Sequence, residues 1–314
     1  MSQTRRATLR ALAKVNLDLR VLGARPDGYH EIRTVFQTIS LADIIDVEFT
    51  RARDTIIEID GADIPDNLIA KAAALALDAM RVSARIRFRL RKRIPMGAGL
   101  GGGSSDAAAV LLALPALAAR RLPLPQTMEL AAGLGSDVPF FLLGGAAVAL
   151  GRGTELYPLP DSPPRPALLV APGLHVSTPA AYRALAPRLT SESQQNKIVS
   201  FQSLVWGELG DNSYARGSND FEAVVFEQFP QLAAIKRRLV KLGADPAMMT
   251  GSGSALFGLF RTREQVNQAA MTFRQENVFS VSLVSRARYR SFWWRALRPY
   301  VEENIWPPLS RSGH

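Results

Sequence analysis

The first clear pattern along the chain is an alternation. From Lys14, the polar residues Lys14, Asn16, Asp18 and Arg20 are interleaved with Val15, Leu17, Leu19 and Val21. A period of two belongs to a strand with one face in a core and the other in water, and it puts Lys14 and Asn16 on one side. Pro26, Asp27 and Gly28 supply the turn that ends it. Further strands are predicted over 31–39, 44–50 and 55–60. An apolar, alanine-rich run from Asn67 to Met80 predicts a helix with Asn67 at its N-cap. In R-I-R-F-R-L-R at 85–91, Ile86, Phe88 and Leu90 face a core while four arginines form a solvated outer face.

A glycine-rich segment follows, then an apolar helix from Ser104 to about Ala119 and a second helix over 126–134. Ser136 or Asp137 is placed to cap a short helix in G-S-D-V-P-F-F. Pro158, Pro160, Pro163, Pro164 and Pro166 mark a junction. Beyond it a strand is expected over 167–171, helices over 179–186, 219–228 and 230–242, and a strand pair around Met248 and Leu256. A helix over 263–275 and a strand over 279–285 complete an α+β half. The expected organisation is an N-terminal unit over 1–160, a C-terminal unit over 161–290 and an extension over 291–314.

Composition narrows the chemistry. The 314 residues include no cysteine, which excludes disulfides, thiolate metal sites and cysteine nucleophiles, and only His30, His175 and His314 as histidines. No histidine-rich metal centre is expected, and carboxylates, lysine, serine and backbone must carry the reaction. His175 and His314 have no supporting neighbours in the sequence and read as structural or surface residues. The net charge of +10 resembles a nucleic-acid footprint, but residues 84–93 carry +6 and residues 285–314 carry +4, so the remainder is neutral. No run approaches the roughly 20 apolar residues of a membrane span, and the N-terminus lacks the apolar core of a secretory signal. A cytoplasmic location is the expectation.

The strongest chemical signal is P-M-G-A-G-L-G-G-G-S-S-D-A-A at 95–108. Gly97, Gly99, Gly101, Gly102 and Gly103 leave the backbone open to phosphate oxygens and tolerate positive φ. The following helix aims free N–H groups and the positive end of its dipole at the same place. A polyphosphate site is implied. It is not a Walker A loop, because Ser104 stands where that motif has lysine.

This loop resembles the second motif of the GHMP kinases. A-K-V-N-L at 13–17, R-P-D-G-Y-H at 25–30, G-S-D-V-P at 135–139, N-D-F-E at 219–222 and T-G-S-G-S-A at 250–255 fall in the order of one branch of that family. The resemblance implies an α+β, two-domain architecture, ribosomal-protein-S5-like then ferredoxin-like, with the active site in the cleft. It implies ATP as phosphoryl donor, with Mg²⁺, and a small-molecule cytidine diphosphate substrate. Lys14 and Asp137 become the catalytic pair. Pro95, Met96, Gly97, Ala98, Gly99, Leu100, Gly101, Gly102, Gly103, Ser104 and Ser105 are assigned to ATP. Asn16, Tyr29, His30 and Tyr182 go to the cytidine substrate, and Thr250, Gly251, Ser252 and Gly253 form a turn near the phosphates. A carboxylate that accepts an alcohol proton beside an ammonium that stabilises the emerging charge is consistent chemistry.

Two alternatives stay open: another small-molecule kinase of the family, of homoserine or mevalonate type, and a basic nucleic-acid-binding module. R-P-D-G-Y-H argues against the first, and the neutral remainder of the chain against the second. The resemblance stops near Ser291. Beyond it Phe292, Trp293, Trp294, Leu297, Tyr300, Ile305 and Trp306 are interleaved with arginines. These aromatics are expected to pack on the protein's own surface or on a second copy, rather than at an anionic membrane surface.

Overall fold

The computed structural model describes residues 3–61, 64–161, 163–189, 191–206, 217–302 and 305–308; His314 lies outside them. Two sheets organise the chain. The first contains β1 (Arg5–Ala24), β2 (His30–Arg51), β3 (Ile56–Asp60), β4 (Ala84–Arg91), β5 (Ala146–Gly151) and β6 (Glu155–Pro158). Its order is β3-β4-β2-β5-β6, with β1 paired along β2. Helices α1 (Leu68–Met80), α2 (Gly102–Ala118), α3 (Leu124–Leu134) and α4 (Val138–Leu143) belong to the same half. The second sheet, of order β10-β7-β9-β8, contains β7 (Pro166–Ala171), β8 (Ala247–Met249), β9 (Leu256–Leu259) and β10 (Asn277–Ser282). Around it lie α5 (Thr178–Leu185), α6 (Ser191–Trp206), α7 (Glu222–Gln228), α8 (Pro230–Lys241) and α9 (Arg263–Ala270); α10 (Arg286–Leu297) follows. The proline-rich stretch separates β6 from β7.

Several expectations are corrected. The strands expected at 31–39 and 44–50 are one strand, β2, because it stays paired with β1 throughout while its other edge changes partner. Residues 32–37 pair with β5 and residues 44–51 with β4. β1 begins at Arg5, and its pairing shifts between Leu12 and Lys14 and again between Asn16 and Asp18. Its polar face is not wet: Lys14, Asn16 and Asp18 are all buried, because the second half of the molecule covers them. α7 starts at Glu222, three residues after the expected position, since Asn219 is bridged to Leu19 of β1. β5, β6 and α6 were not foreseen.

In β4, Ile86, Phe88 and Leu90 are buried and the arginines exposed, as the alternation implies. Arg87 pairs with Asp60 at 3.1 Å and Arg91 with Asp46 at 3.2 Å on neighbouring strands. The tail aromatics pack on the chain itself. Tyr289, Trp293 and Leu297 of α10 and Val301 enter the core formed by α1, α2 and the first sheet. The Tyr289 hydroxyl donates to the Phe141 carbonyl, and Trp306 Nε1 donates to the Leu142 carbonyl at 3.0 Å. No helix among the described residues is long and apolar enough to cross a membrane.

Candidate active site

A cavity of about 700 Å³ lies where the two halves meet. Lys14 sits at its base. Its ammonium donates to Asn16 Oδ1 at 2.9 Å, lies 3.4 Å from Asp137 Oδ2 and stands 4.9 Å from the centre of the Phe36 ring. The strand places Lys14, and the start of α4 places Asp137. Asp137 occupies the N-cap position, yet its side chain makes no capping hydrogen bond, so the expected capping role is absent and the carboxylate faces Lys14. A carboxylate partly open to the cavity beside a buried ammonium can receive a proton while positive charge remains next to the oxygen that loses it.

The glycine segment forms the opposite wall. Gly97, Gly99 and Gly101 have φ of +67°, +79° and +69°. The last two glycines are not loop residues: α2 starts at Gly102, so Gly102, Gly103 and Ser104 supply the free N–H groups of its first turn. Ala98 and Leu100 point into the core and anchor the segment. Ser104 lines the cavity. Ser105 is buried, and its hydroxyl donates to the Leu12 carbonyl at 2.7 Å. The space above Gly101 is occupied by protein: a methyl group there would stand 2.9 Å from the Phe141 ring and 3.2 Å from Lys14 Cγ.

The turn at 250–253 closes the far side. Thr250 Oγ1 donates to Asn16 Oδ1 at 3.1 Å, and the Gly251 amide donates to the same oxygen at 2.9 Å. Asn16 Nδ2 donates to Thr34 Oγ1 at 2.8 Å. Asn16 therefore ties Lys14, the first sheet and the turn together. Gly251 and Ser252 line the cavity. Behind the glycine segment, Lys92 bridges Asp43 at 2.5 Å and Asp106 at 3.0 Å, a buried cluster with no obvious sequence signal.

At the other end of the cavity, His30 stacks on Tyr182 with ring centres 4.1 Å apart and planes 20° apart, and Tyr182 meets Phe221 edge-on. Burial holds the His30 imidazole below its ordinary pKa, so it is neutral at pH 7 and carries one donor and one acceptor nitrogen. Burial, and secondarily the Asp137 charge, raise the Tyr182 phenol to about 12. Tyr29 is half exposed, with the Arg152 guanidinium 5.1 Å from its ring centre. Arg152 and Arg183 line the cavity and were missed, because isolated arginines in a basic chain carry no pattern. His175, expected to be structural or on the surface, has its Nδ1 3.2 Å from where a Cβ on Gly97 would be.

Comparison with known proteins agrees with this geometry. The model described as "GHMP kinases N terminal domain" matches residues 67–145, and "GHMP kinases C terminal" matches residues 198–277. A 4-diphosphocytidyl-2-C-methyl-D-erythritol kinase of Solibacter usitatus is 61% identical over 99% of both chains. One from Thermus thermophilus is 43% identical over 84% of this chain and 91% of its own. The crystal structure of a 4-(cytidine 5'-diphospho)-2C-methyl-D-erythritol kinase superposes with a TM-score of 0.73 at 40% identity, covering 88% of this chain and 98% of that one. Homoserine kinase from Cytophaga hutchinsonii, with a TM-score of 0.70 at 21% identity over 91% and 97% of the two chains, shares the fold. A two-domain α+β architecture and ATP-dependent phosphorylation of a small molecule follow. The chain belongs to the 4-diphosphocytidyl-2-C-methyl-D-erythritol kinases, a branch of the GHMP kinases.

Proposed function

We propose that this kinase transfers the γ-phosphoryl group of ATP to the 2-hydroxyl of 4-diphosphocytidyl-2-C-methyl-D-erythritol, with Asp137 as proton acceptor and Lys14 as charge stabiliser. The observation that carries the reading is the Lys14–Asp137 pair at 3.4 Å, set between the glycine segment and the aromatic end of one cavity. The acceptor O–H gives its proton to the Asp137 carboxylate as the O–P bond forms and the bond from Pγ to the bridging oxygen of ADP breaks. In such a loose transition state the protein contributes alignment and charge stabilisation. The ammonium of Lys14, buried over Phe36, is placed to do the second.

Gly97 to Gly103 and the first turn of α2 receive the triphosphate, which enters as its Mg²⁺ complex; Mg²⁺ neutralises phosphate charge. The turn at 250–253 approaches the phosphates from the other side. His30, Tyr182 and Tyr29 take the cytosine, where a neutral imidazole matches the base edge and the rings offer stacking faces. Asn16 serves mainly as the clasp described above, with one Nδ2 hydrogen left for the acceptor. A cytoplasmic, small-molecule role with no nucleic-acid partner completes the reading. A coupled ADP-release assay with the cytidine substrate, its uridine analogue, homoserine and mevalonate tests it. Turnover should be confined to the cytidine compound, and equal use of the uridine analogue would remove His30 and Tyr182 from base recognition.

A further inference from the structure

The motif N-D-F-E at 219–222 has no place in the chemistry above, yet every one of its side chains holds something beside the cavity. Asn219 Nδ2 donates to the Met249 and Gly251 carbonyls, both at 2.8 Å, while its Oδ1 accepts the Phe221 amide at 3.0 Å and fixes the side chain. Asp220 Oδ2 accepts the Val21 amide at 2.8 Å and pairs with Lys197 at 2.6 Å. Phe221 supports Tyr182. Glu222 accepts the Met249 amide at 2.9 Å and pairs with Lys236 at 2.5 Å.

The consequence of the Asn219 contact lies in the turn. Thr250 to Gly253 is closed by the Gly253 amide on the Thr250 carbonyl at 3.2 Å, with Gly251 at φ +58°. The central peptide joins Gly251 to Ser252. Turns with positive φ at their second residue exist in two forms that differ by a flip of this peptide, and glycine permits both. With the Gly251 amide on Asn16 and its carbonyl on Asn219, the flip is blocked. In a planar trans peptide the N–H points opposite to the C=O. The Ser252 N–H is thus turned away from buried Asn219, and it has no hydrogen-bond partner among the described residues. Ser252 lines the cavity.

We propose that Asn219 is a positioning residue: it locks the Gly251–Ser252 peptide so that the Ser252 N–H is held ready as a donor to an oxygen of the transferring phosphoryl group. This rests on the phosphoryl-transfer reading. A fixed backbone donor acts on developing negative charge without reorganising, and losing one such donor in other enzymes costs on the order of 100-fold in turnover.

The test uses the full chain with ATP and the cytidine substrate, and reads kcat, both KM values and Tm for wild type, Asn219→Ala, Asn219→Asp and Leu239→Ala. Leu239→Ala is a buried core change in the same half and serves as a stability control. Both Asn219 variants should lose at least ten-fold in kcat with the KM for the cytidine substrate unchanged, while Leu239→Ala loses comparable Tm and keeps kcat within two-fold. In Asn219→Asp the introduced carboxyl can donate only when protonated, so its kcat relative to wild type should rise as pH falls. Should Asn219→Asp fail to fold, Asn219→Ala decides by the same criterion. Wild-type kcat in folded Asn219 variants, or a loss that merely tracks Tm as in Leu239→Ala, overturns the inference. An inactive wild type would instead overturn the reading beneath it.

Discussion

Gly99 and Thr250, 151 residues apart in sequence, meet backbone to backbone: a methyl group on Gly99 would stand 2.2 Å from the Thr250 carbonyl oxygen. The two glycine turns are therefore one packed unit. The Ala255 amide also donates to the Ala98 carbonyl at 3.2 Å and the Lys14 amide to the Leu100 carbonyl at 3.0 Å. A side chain at Gly99 must both adopt positive φ, which costs on the order of 1–3 kcal/mol, and push the turns apart. Gly99→Ala should raise the KM for ATP and lower urea stability together. A variant with wild-type stability and KM would show that the turns are not packed as described.

The glycine segment shows what was legible in the sequence and what was not. Its position between strand and helix was readable, because five glycines in seven residues have few other uses. Its division was not: only Gly97, Gly99 and Gly101 take positive φ, and Gly101 is glycine because Phe141 and Lys14 fill the space above it. Such a requirement comes from tertiary packing and leaves no local trace. The same holds for Lys14, whose alternating strand reads as half wet until the turn at 250–253 covers it. It holds again for Asn16, assigned to the substrate but largely occupied by Lys14, Thr34, Thr250 and Gly251.

Asp106 carries a pH signature. Burial pushes its carboxyl up to about 7, Lys92 pulls the other way, and the nearby Asp43 carboxylate adds to the rise; its Oδ1 is buried without a partner. The folded pKa lies above the unfolded one, so the folded state binds the proton more tightly. Stability from this group is complete below pH 3.8 and is lost as pH rises toward 7. The slope reaches at most about 1.4 kcal/mol per pH unit. Urea denaturation of wild type and Asp106→Asn between pH 4 and pH 8 should show this falling contribution in wild type alone. Parallel curves would contradict it.

The C-terminal aromatics are part of the core. Trp293 is buried against α2 and the first sheet, and Trp293→Ala should cost about 3–5 kcal/mol, the usual range for removing a buried tryptophan. Turnover measured well below the lowered Tm should stay near wild type, since the cavity is lined elsewhere. Calorimetry decides the first point. A Tm equal to wild type would contradict packing by α10 and restore the membrane-surface alternative, testable with anionic vesicles.

The pair at the base of the cavity carries the central claim, and ³¹P NMR of single reactions tests it most directly. Purified wild type, Asp137→Asn and Lys14→Ala are each mixed with Mg²⁺, ATP and 4-diphosphocytidyl-2-C-methyl-D-erythritol. Wild type should convert ATP to ADP with one new phosphomonoester resonance on the erythritol, the diphosphate bridge staying intact. Each variant should remain folded, bind nucleotide and form the same product roughly 100-fold more slowly or worse, the size expected for a lost proton acceptor or charge stabiliser. Near wild-type rates in either variant, or a new resonance on any other group, would contradict the account.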